Sequence, residues 1–212
     1  MKRFAVIGDP IAHTLSPNLH QEVYRQLELD ASFEQIHVTP NSLDSFINSN
    51  KLDGFNVTIP HKLSIIPFLK GLDEPAKTIG AVNCVHNGKG YNTDWIGFLK
   101  AMEFNGVDLN GKDCTILGAG GAARAIAYGL VQADVNSILI SNRTQTKADQ
   151  LLDWINSIFP TNFQSKNSDI IINCTPLGMW PDTESMPEVE IQNGQILADT
   201  IYNPLETAWL KA

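Results

Sequence analysis

Cysteine is scarce in this sequence. Its three cysteines, Cys84, Cys114 and Cys174, lie far apart and form no C-x-x-C pair. An odd number of widely separated cysteines argues against a disulfide framework, and the missing pair argues against a cysteine-based zinc site. We therefore expect three reduced thiols and no bound metal.

Long hydrophobic runs are also missing. No apolar stretch approaches the ~20 residues that a transmembrane helix needs. The N-terminal sequence MKRFAVIG reaches a glycine after only a few apolar residues, which is too soon for the core of a signal peptide. These absences predict a soluble, cytoplasmic protein with no membrane partner.

Basic residues are outnumbered, and they form no stripe. The chain has 15 Lys+Arg against 23 Asp+Glu, for a net charge of −8, and its cations are scattered along the sequence. A negative protein repels a polyanionic backbone, so we expect no nucleic-acid partner.

What the sequence does contain is a regular alternation of strand and helix patterns. Its 212 residues, 43% of them hydrophobic, fit two small domains. In the first half, apolar runs between turn residues predict strands at 4–8, 33–38, 54–58, 81–85 and 90–91. Helical spacing and capping residues predict helices at 16–27, 42–49, 61–69 and 95–104.

The second half reads as a Rossmann-like domain. Asn-Gly turns ending at Gly111 favour a domain boundary there, so we predict domains at 1–111 and 112–212. Past this boundary, helices separate short apolar strands at 114–117, 137–141, 169–173 and 195–199. That pattern is typical of a parallel, doubly wound sheet. The predicted fold is an N-terminal α/β domain followed by a Rossmann-like domain.

A glycine-rich loop joins the first strand and helix of this second domain. Its spacing is G-x-G-x-x-A: Gly118 suits a tight turn, Gly120 lets a pyrophosphate approach the backbone, and Ala123 lets the helix pack closely. The helix N-terminus would then bind the phosphates. An ordinary glycine-rich turn is the alternative interpretation. The predicted cofactor-binding residues here are Gly118, Ala119, Gly120, Gly121 and Ala122.

The end of the next strand favours NADP over NAD. An NAD enzyme usually presents Asp or Glu there to the ribose hydroxyls, whereas this chain presents Asn142, Arg143 and Thr144. The guanidinium of Arg143 can pair with a 2′-phosphate, and the Thr144 hydroxyl adds a donor. A solvated loop cation is the alternative for Arg143.

Three polar segments of the first half carry a more specific pattern. They are GDPIAHTLSP at 8–17, GFNVTIPHK at 54–62, and GAVN with YNTD at 80–83 and 91–94. Together with NCTPLGM at 173–179 and YNP at 202–204, they resemble the shikimate dehydrogenase family. The resemblance spans nearly the whole chain. It implies a substrate domain, an NADP-binding Rossmann domain, a cleft between them, and reversible reduction of 3-dehydroshikimate to shikimate in aromatic amino-acid (chorismate) biosynthesis.

The resemblance also implies roles for individual residues. Lys62 would be the catalytic acid/base, with Asp94 as its catalytic partner, both in contact with substrate. Thr14 and Ser16 would contact the substrate carboxylate, Thr58 and Asn83 its hydroxyls, and Tyr202 its ring. Glu74, Thr175 and Thr200 would lie near the cofactor.

The chemistry of these residue types is consistent with a ketone reduction, which needs a hydride and a positioned acid. A lysine has a reference pKa of ~10.4; desolvation would help it act as a base, whereas a nearby Asp94 carboxylate would favour its charged form. Which group first takes the proton stays open. Without the motifs, Lys62 would be a surface cation, and Ser16 and Asp94 would be helix N-caps. We interpret His13 and His61 as polar lining or surface residues.

Two departures from the family pattern are visible. Thr14 stands where many relatives have serine, which keeps the hydroxyl. The sequence stops at Ala212, so we expect it to be C-terminally truncated relative to the family. A quinate/shikimate dehydrogenase and a non-catalytic ligand-binding relative are the alternatives, and we expect a monomer or homodimer.

Overall fold

The computed structural model of the protein describes residues 1–159 and 168–212. These residues form two compact units, Met1–Thr93 and Asp94–Ala212. Each unit has its own sheet and its own hydrophobic core.

The first unit is a mixed six-stranded sheet with the strand order β2-β1-β3-β5-β6-β4. Strands β2, β1 and β3 run parallel, β5 is antiparallel to β3 and β6, and β4 is parallel to β6. In chain order, its elements are β1 (Lys2–Gly8), α1 (Ser16–Gln26), β2 (Ala31–His37), α2 (Leu43–Ser49), β3 (Gly54–Val57), α3 (His61–Ser64), β4 (Gly71–Leu72), α4 (Glu74–Ile79), β5 (Cys84–His86) and β6 (Lys89–Tyr91).

The core of this unit follows the two-residue alternation of its strands. Ala5 and Ile7 of β1 join Phe55 and Val57 of β3 on one face, where α2 and the segment after α3 cover them. Val6 points to the other face and packs in a smaller cluster. The strands predicted at 4–8, 33–38, 54–58 and 90–91 are confirmed to within two residues at each end, whereas the strand predicted at 81–85 begins only at Cys84.

The predicted helix at 61–69 is wrong in its length. The α-helix ends at Ser64, and a 3₁₀ turn follows at Ile66–Phe68. Pro67 has no N–H to donate to the carbonyl of Leu63, so it interrupts the α-helical hydrogen bonds. Strand β4 and helix α4 were not predicted.

The second unit holds a parallel four-stranded sheet with the order β10-β9-β7-β8. Its elements are α5 (Asp94–Phe104), β7 (Asp113–Leu117), α6 (Gly121–Gln132), β8 (Ser137–Ser141), α7 (Gln145–Ile158), β9 (Ile170–Asn173), β10 (Ile196–Asp199) and α8 (Ala208–Lys211). Residues of α6 and α7 pack on one face, and Trp209 of α8 packs on the other. The predicted parallel, doubly wound sheet is confirmed.

The order in which strands are added to this parallel sheet reverses at β7, its first strand. β8 pairs with one edge of β7, and β9 pairs with the other. The crevice outside the carboxyl ends of β7 and β9 is therefore the topological switch point, where open α/β sheets bind their ligands.

The division between the two compact units lies earlier than the predicted boundary at Gly111. Helix α5 belongs to the second unit because it packs along α6: the rings of Trp95 and Tyr128 meet edge to face at 5.2 Å. A Cβ on Gly129 would lie 3.2 Å from the carbonyl oxygen of Trp95, so the two helices approach closely at that glycine. The turn-rich stretch up to Gly111 is thus a loop inside the second unit.

Among the helices of the described residues, none is long and apolar enough to cross a membrane.

Candidate active site

The carboxyl ends of β1 and β3 touch at Gly8. A Cβ at this position would lie 2.6 Å from Thr58 Cγ2 and 2.9 Å from the Ile59 carbonyl oxygen, so only glycine fits. The Asp9 N–H also donates to that carbonyl at 3.0 Å. The loop after β1 is therefore fixed beside Thr58, which is half-buried at the end of β3.

This loop brings Thr14 and Ser16 together. The Thr14 hydroxyl donates to Ser16 Oγ at 3.1 Å, and the Ser16 backbone N–H donates to Thr14 Oγ1 at 3.3 Å. Ser16 is the first residue of α1 and makes no capping bond, so the N-cap alternative for its side chain is wrong. Thr14 uses its own proton within the pair, which leaves the Ser16 hydroxyl proton to donate to a ligand.

Lys62 is half-buried in the first turn of α3, and its backbone is fixed from two sides. The Val82 N–H donates to the Lys62 carbonyl at 2.8 Å. The preceding residue, His61, is completely buried, and its Nε2 lies 2.6 Å from the Val38 carbonyl oxygen. The interpretation of His61 as lining or surface is therefore wrong, because its ring is completely buried.

Asn83 and Thr93 form a reciprocal pair. The Asn83 amide nitrogen donates to Thr93 Oγ1 at 2.9 Å, and the Thr93 N–H donates to Asn83 Oδ1 at 2.9 Å. Thr93 thus connects two predicted site residues. It is hydrogen-bonded to Asn83, and Asp94 is the next residue in the chain. Asp94 is the first residue of α5, where the helix dipole favours a carboxylate.

The glycine-rich loop of the second unit has the geometry that its spacing predicts. Gly118 follows β7 with φ +108°, and its N–H donates to the Ser141 carbonyl at 2.7 Å. A Cβ on Gly118 would lie 3.1 Å from the Cys174 carbonyl oxygen. Gly120 is the N-cap of α6, and a Cβ there would meet nothing within 4 Å. The loop therefore leaves open space in front of the first N–H groups of α6.

The segment between β8 and α7 presents a cation. The Asn142 side chain donates to the Thr144 carbonyl at 2.9 Å and so holds the turn. Arg143 is exposed, and its guanidinium has no ion-pair partner among the described residues. Thr144 occupies the N-cap position of α7 without a side-chain capping bond.

A hydrogen-bonded group lies at the carboxyl ends of β9 and β10. Asn173 is completely buried, and its Oδ1 accepts from the Thr175 N–H at 3.0 Å and from the Thr175 hydroxyl at 2.7 Å. The Thr200 hydroxyl donates to the Asn173 backbone carbonyl at 2.9 Å. The structure thus brings the predicted residues Thr175 and Thr200 to one buried asparagine. Tyr202, further along the same segment, is 55% exposed.

Glu74 lies apart from the dinucleotide loop in sequence and in unit. It is the first residue of α4 in the first unit, it is exposed, and its carboxylate is 3.9 Å from Lys77 Nζ. Its role near the cofactor stays a prediction.

Sequence reasoning assigned no role to Asn173, Asp199 or Thr207. A buried asparagine at a strand end and an aspartate at the end of the next strand were the available signals. Burial raises the pKa of the Cys174 thiol, and the Asp199 carboxylate raises it further. Within the described residues, no group of three His, Cys, Asp or Glu side chains could hold a metal ion.

Comparison with known proteins identifies a family for both halves of the chain. Residues 6–85 match the shikimate dehydrogenase substrate-binding domain, and residues 99–177 match the shikimate / quinate 5-dehydrogenase family. A shikimate dehydrogenase (NADP(+)) from Methanosphaera stadtmanae is 40% identical over 97% of this chain and 80% of its own length. The chain belongs to the shikimate dehydrogenase family.

Solved structures of relatives share the fold. The shikimate 5-dehydrogenase of Thermus thermophilus, in complex with NADP(H) and shikimate, superposes with a TM-score of 0.90 at 31% identity, covering 100% of this chain and 83% of that one. A 5-ketofructose reductase of a Gluconobacter strain superposes with a TM-score of 0.87 at 32% identity, covering 99% of this chain and 82% of that one. Shikimate dehydrogenases therefore share this fold with a reductase of a different ketone.

Proposed function

We propose that this chain is an NADP-dependent dehydrogenase that reversibly reduces 3-dehydroshikimate to shikimate, a reaction of aromatic amino-acid biosynthesis. The observation that carries the proposal is that this member of the family has both a polar substrate-type site and a dinucleotide-type loop. One is the polar edge of the first sheet around Thr58 and Lys62; the other is the glycine-rich loop followed by Arg143.

The second unit fits a dinucleotide at its switch point. The open space at Gly120 admits a pyrophosphate, Gly118 makes the tight turn, and the N–H groups from Ala119 to Ala122 bind the phosphates at the positive end of α6. Arg143 pairs with the 2′-phosphate, and the Asn142–Thr144 turn holds that arginine in place. Thr175, Thr200 and Glu74 complete the proposed cofactor contacts. NADPH, when bound, supplies the hydride.

The first unit supplies the acid. In the direction of reduction, Lys62 donates a proton to the carbonyl oxygen as that oxygen gains charge. Asp94 orients the substrate hydroxyl. The bond from Val82 to the Lys62 carbonyl and the burial of the neighbouring His61 fix the backbone from which the Lys62 side chain extends.

The other polar groups bind the substrate. The Ser16 hydroxyl donates to the carboxylate, and Thr14 fixes its orientation through their mutual bonds. Thr58 and Asn83 contact ring hydroxyls, and Tyr202 contacts the ring. The proposed partners are thus small molecules. We also propose that the protein is cytoplasmic and is a monomer or a homodimer.

A direct assay tests the proposal. Purified protein should give an NADP-linked absorbance change with shikimate, and weaker changes with quinate or with a ketose and NADPH. Lys62→Ala should lower kcat by about 10²–10⁴-fold, the usual share of a general acid or base, with a smaller change in KM. Lys51→Ala, an exposed lysine outside both sites, is the matched control and should retain full turnover.

Absence of turnover with shikimate would contradict the assignment, and preferred turnover of quinate or a ketose would replace the substrate. A mainly KM effect of Lys62→Ala would make Lys62 a binding residue.

A further inference from the structure

Asp199 ends β10 with both oxygens of its carboxylate bonded to donors. Oδ1 accepts from the Ile201 N–H at 2.9 Å, and Oδ2 accepts from the Thr207 hydroxyl at 2.8 Å. The Asn173 amide nitrogen lies 3.2 Å from Oδ1 and 3.3 Å from Oδ2. Asn173 and Thr207 are completely buried, so the carboxylate is held from the interior of the unit.

Asn173 extends the group toward the dinucleotide loop. Its amide nitrogen also donates to the Leu177 carbonyl at 3.2 Å, and its Oδ1 receives both donors of Thr175. The next residue, Cys174, places its carbonyl oxygen against Gly118. The hydrogen-bonded group around Asp199 consists of Asp199, Asn173, Thr175, Ile201 and Thr207. It therefore reaches from the turn that would receive the pyrophosphate to the segment that carries Tyr202.

These contacts distinguish the group from the usual pairing of two strand ends. Asp199 and Asn173 already occupy partner positions in the parallel ladder of β10 and β9. The bonds from Ile201 and Thr207 add nothing to that ladder; they fold the residues after β10 back over its end. Tyr202 directly follows one of the two bonded residues, so the direction of its backbone depends on the carboxylate.

We propose that Asp199 is a positioning residue for the reaction, which fixes Tyr202 against the substrate and Thr175 against the cofactor through one carboxylate. This inference rests on the proposed function. Asp199 itself contacts neither ligand; it acts through Tyr202 and, by way of Asn173, through Thr175.

Thr207 offers a clean test, because its hydroxyl binds Asp199 and Thr207 is not one of the proposed ligand-contact residues. Thr207→Val keeps the shape and removes the bond to Oδ2, whereas Thr207→Ser keeps the bond. Hydrogen bonds to charged groups are worth enough that their loss changes affinity about 10-fold or more. We expect Thr207→Val to raise KM for shikimate about 10-fold with a small change in kcat, and Thr207→Ser to restore it.

Asp199→Asn extends the test to both ligands. The new amide would face the amide nitrogen of Asn173 at one oxygen position, so the group would lose bonds on both sides. We expect KM for shikimate and for NADP to rise together in this variant. Thr183→Val, at a half-buried threonine on the neighbouring segment, is the matched control and should change neither constant.

Amide hydrogen exchange supplies a readout that does not need turnover. Peptides covering 173–177 and 199–207 should exchange faster in Thr207→Val and in Asp199→Asn than in the wild type, and Thr207→Ser should protect them again. If the wild type shows no turnover, the proposed function is rejected. Amide exchange would then still test whether Asp199 holds the segments 173–177 and 199–207 in place. Unchanged kinetics and unchanged exchange in both variants, or a lowered melting temperature with wild-type kinetic constants, would overturn the inference.

Discussion

At the scale of single residues, the three thiols share one property. Burial raises the pKa of each, and nearby carboxylates add to the rise: Asp73 for Cys84, Asp169 and Asp113 for Cys114, and Asp199 for Cys174. A thiol with a raised pKa carries little thiolate at neutral pH, and the thiolate is the reactive form. The folded protein should therefore be slow to react with thiol reagents.

Cys114 makes this property measurable as a loss of stability in alkali. Burial raises its pKa from the ordinary value of 9.0 to about 12. Between these two values the unfolded chain has lost the thiol proton and the folded chain has kept it, so the free energy of unfolding falls as pH rises, by at most about 1.4 kcal/mol per pH unit. We expect urea unfolding of Cys114→Ala to show a shallower decline above pH 9 than the wild type.

The comparison of slopes separates ionisation from packing, because the cavity left by Cys114→Ala lowers stability equally at all pH values. Cys84→Ala is the control, since that thiol is only half-buried and should contribute less. Parallel pH profiles for Cys114→Ala and the wild type would show that the Cys114 thiol does not titrate in this way.

Single residues also show where sequence reasoning stops. Gly118 and Gly120 were predictable because their roles depend on a local strand–turn–helix pattern, and the structure gives both the expected backbone. Asn173, Asp199 and Thr207 were not, because their bonds join residues from three separate segments. The register of β9 and β10 brings Asn173 to Asp199, and the fold of the segment after β10 brings Thr207; a single sequence reveals neither.

At the scale of elements, we propose that the turn between β8 and α7 sets the preference for NADP over NAD. We expect Arg143→Ala to weaken NADP binding by ~1.5–3 kcal/mol, about 10- to 100-fold, because a 2′-phosphate loses a charged donor. NAD, which lacks this phosphate, should bind almost as before. Calorimetry with both cofactors measures the difference directly.

Lys147→Ala provides the matched control for charge alone. Lys147 is an exposed cation in the first turn of α7, so its loss lowers the local positive charge without touching the Asn142–Thr144 turn. A loss of NADP affinity as large as that of Arg143→Ala would point to a general field. Equal losses of NADP and NAD in Arg143→Ala would instead show that the arginine only supports the loop.

Helices and strands were predicted well where a single local sequence pattern determines them. The strands β7 to β10 are short apolar runs between turns, and each lies within one residue of its expected range. The helix expected at 61–69 failed because apolar spacing continues past Pro67, whereas the hydrogen bonds do not. Helix α5 was predicted within one residue of its observed range. Its packing against α6 was not predicted, because that contact depends on tertiary structure.

At the scale of the whole molecule, net charge is the property that the sequence states most simply. With a charge of −8 and scattered cations, the sequence offers no basic stripe that would release counterions from a nucleic acid. We expect no change in the fluorescence anisotropy of a labelled DNA duplex at about 50 mM salt and protein concentrations up to about 10⁻⁴ M. Saturable binding that weakens with salt would reveal a basic patch that the sequence hides.

The order of strands has a consequence for the chain while it is being made. All six strands of the first sheet precede Thr93, so a nascent chain can complete that sheet before Asp113 begins the second one. In each sheet one strand keeps an edge unpaired after its first partner is made: β1 waits for β3 from His37 to Gly54, and β7 waits for β9 over the longer stretch from Ser141 to Ile170. Unpaired strand edges are where unfinished chains aggregate. The interval between the synthesis of β8 and that of β9 is therefore the longer period in which an unfinished chain exposes such an edge.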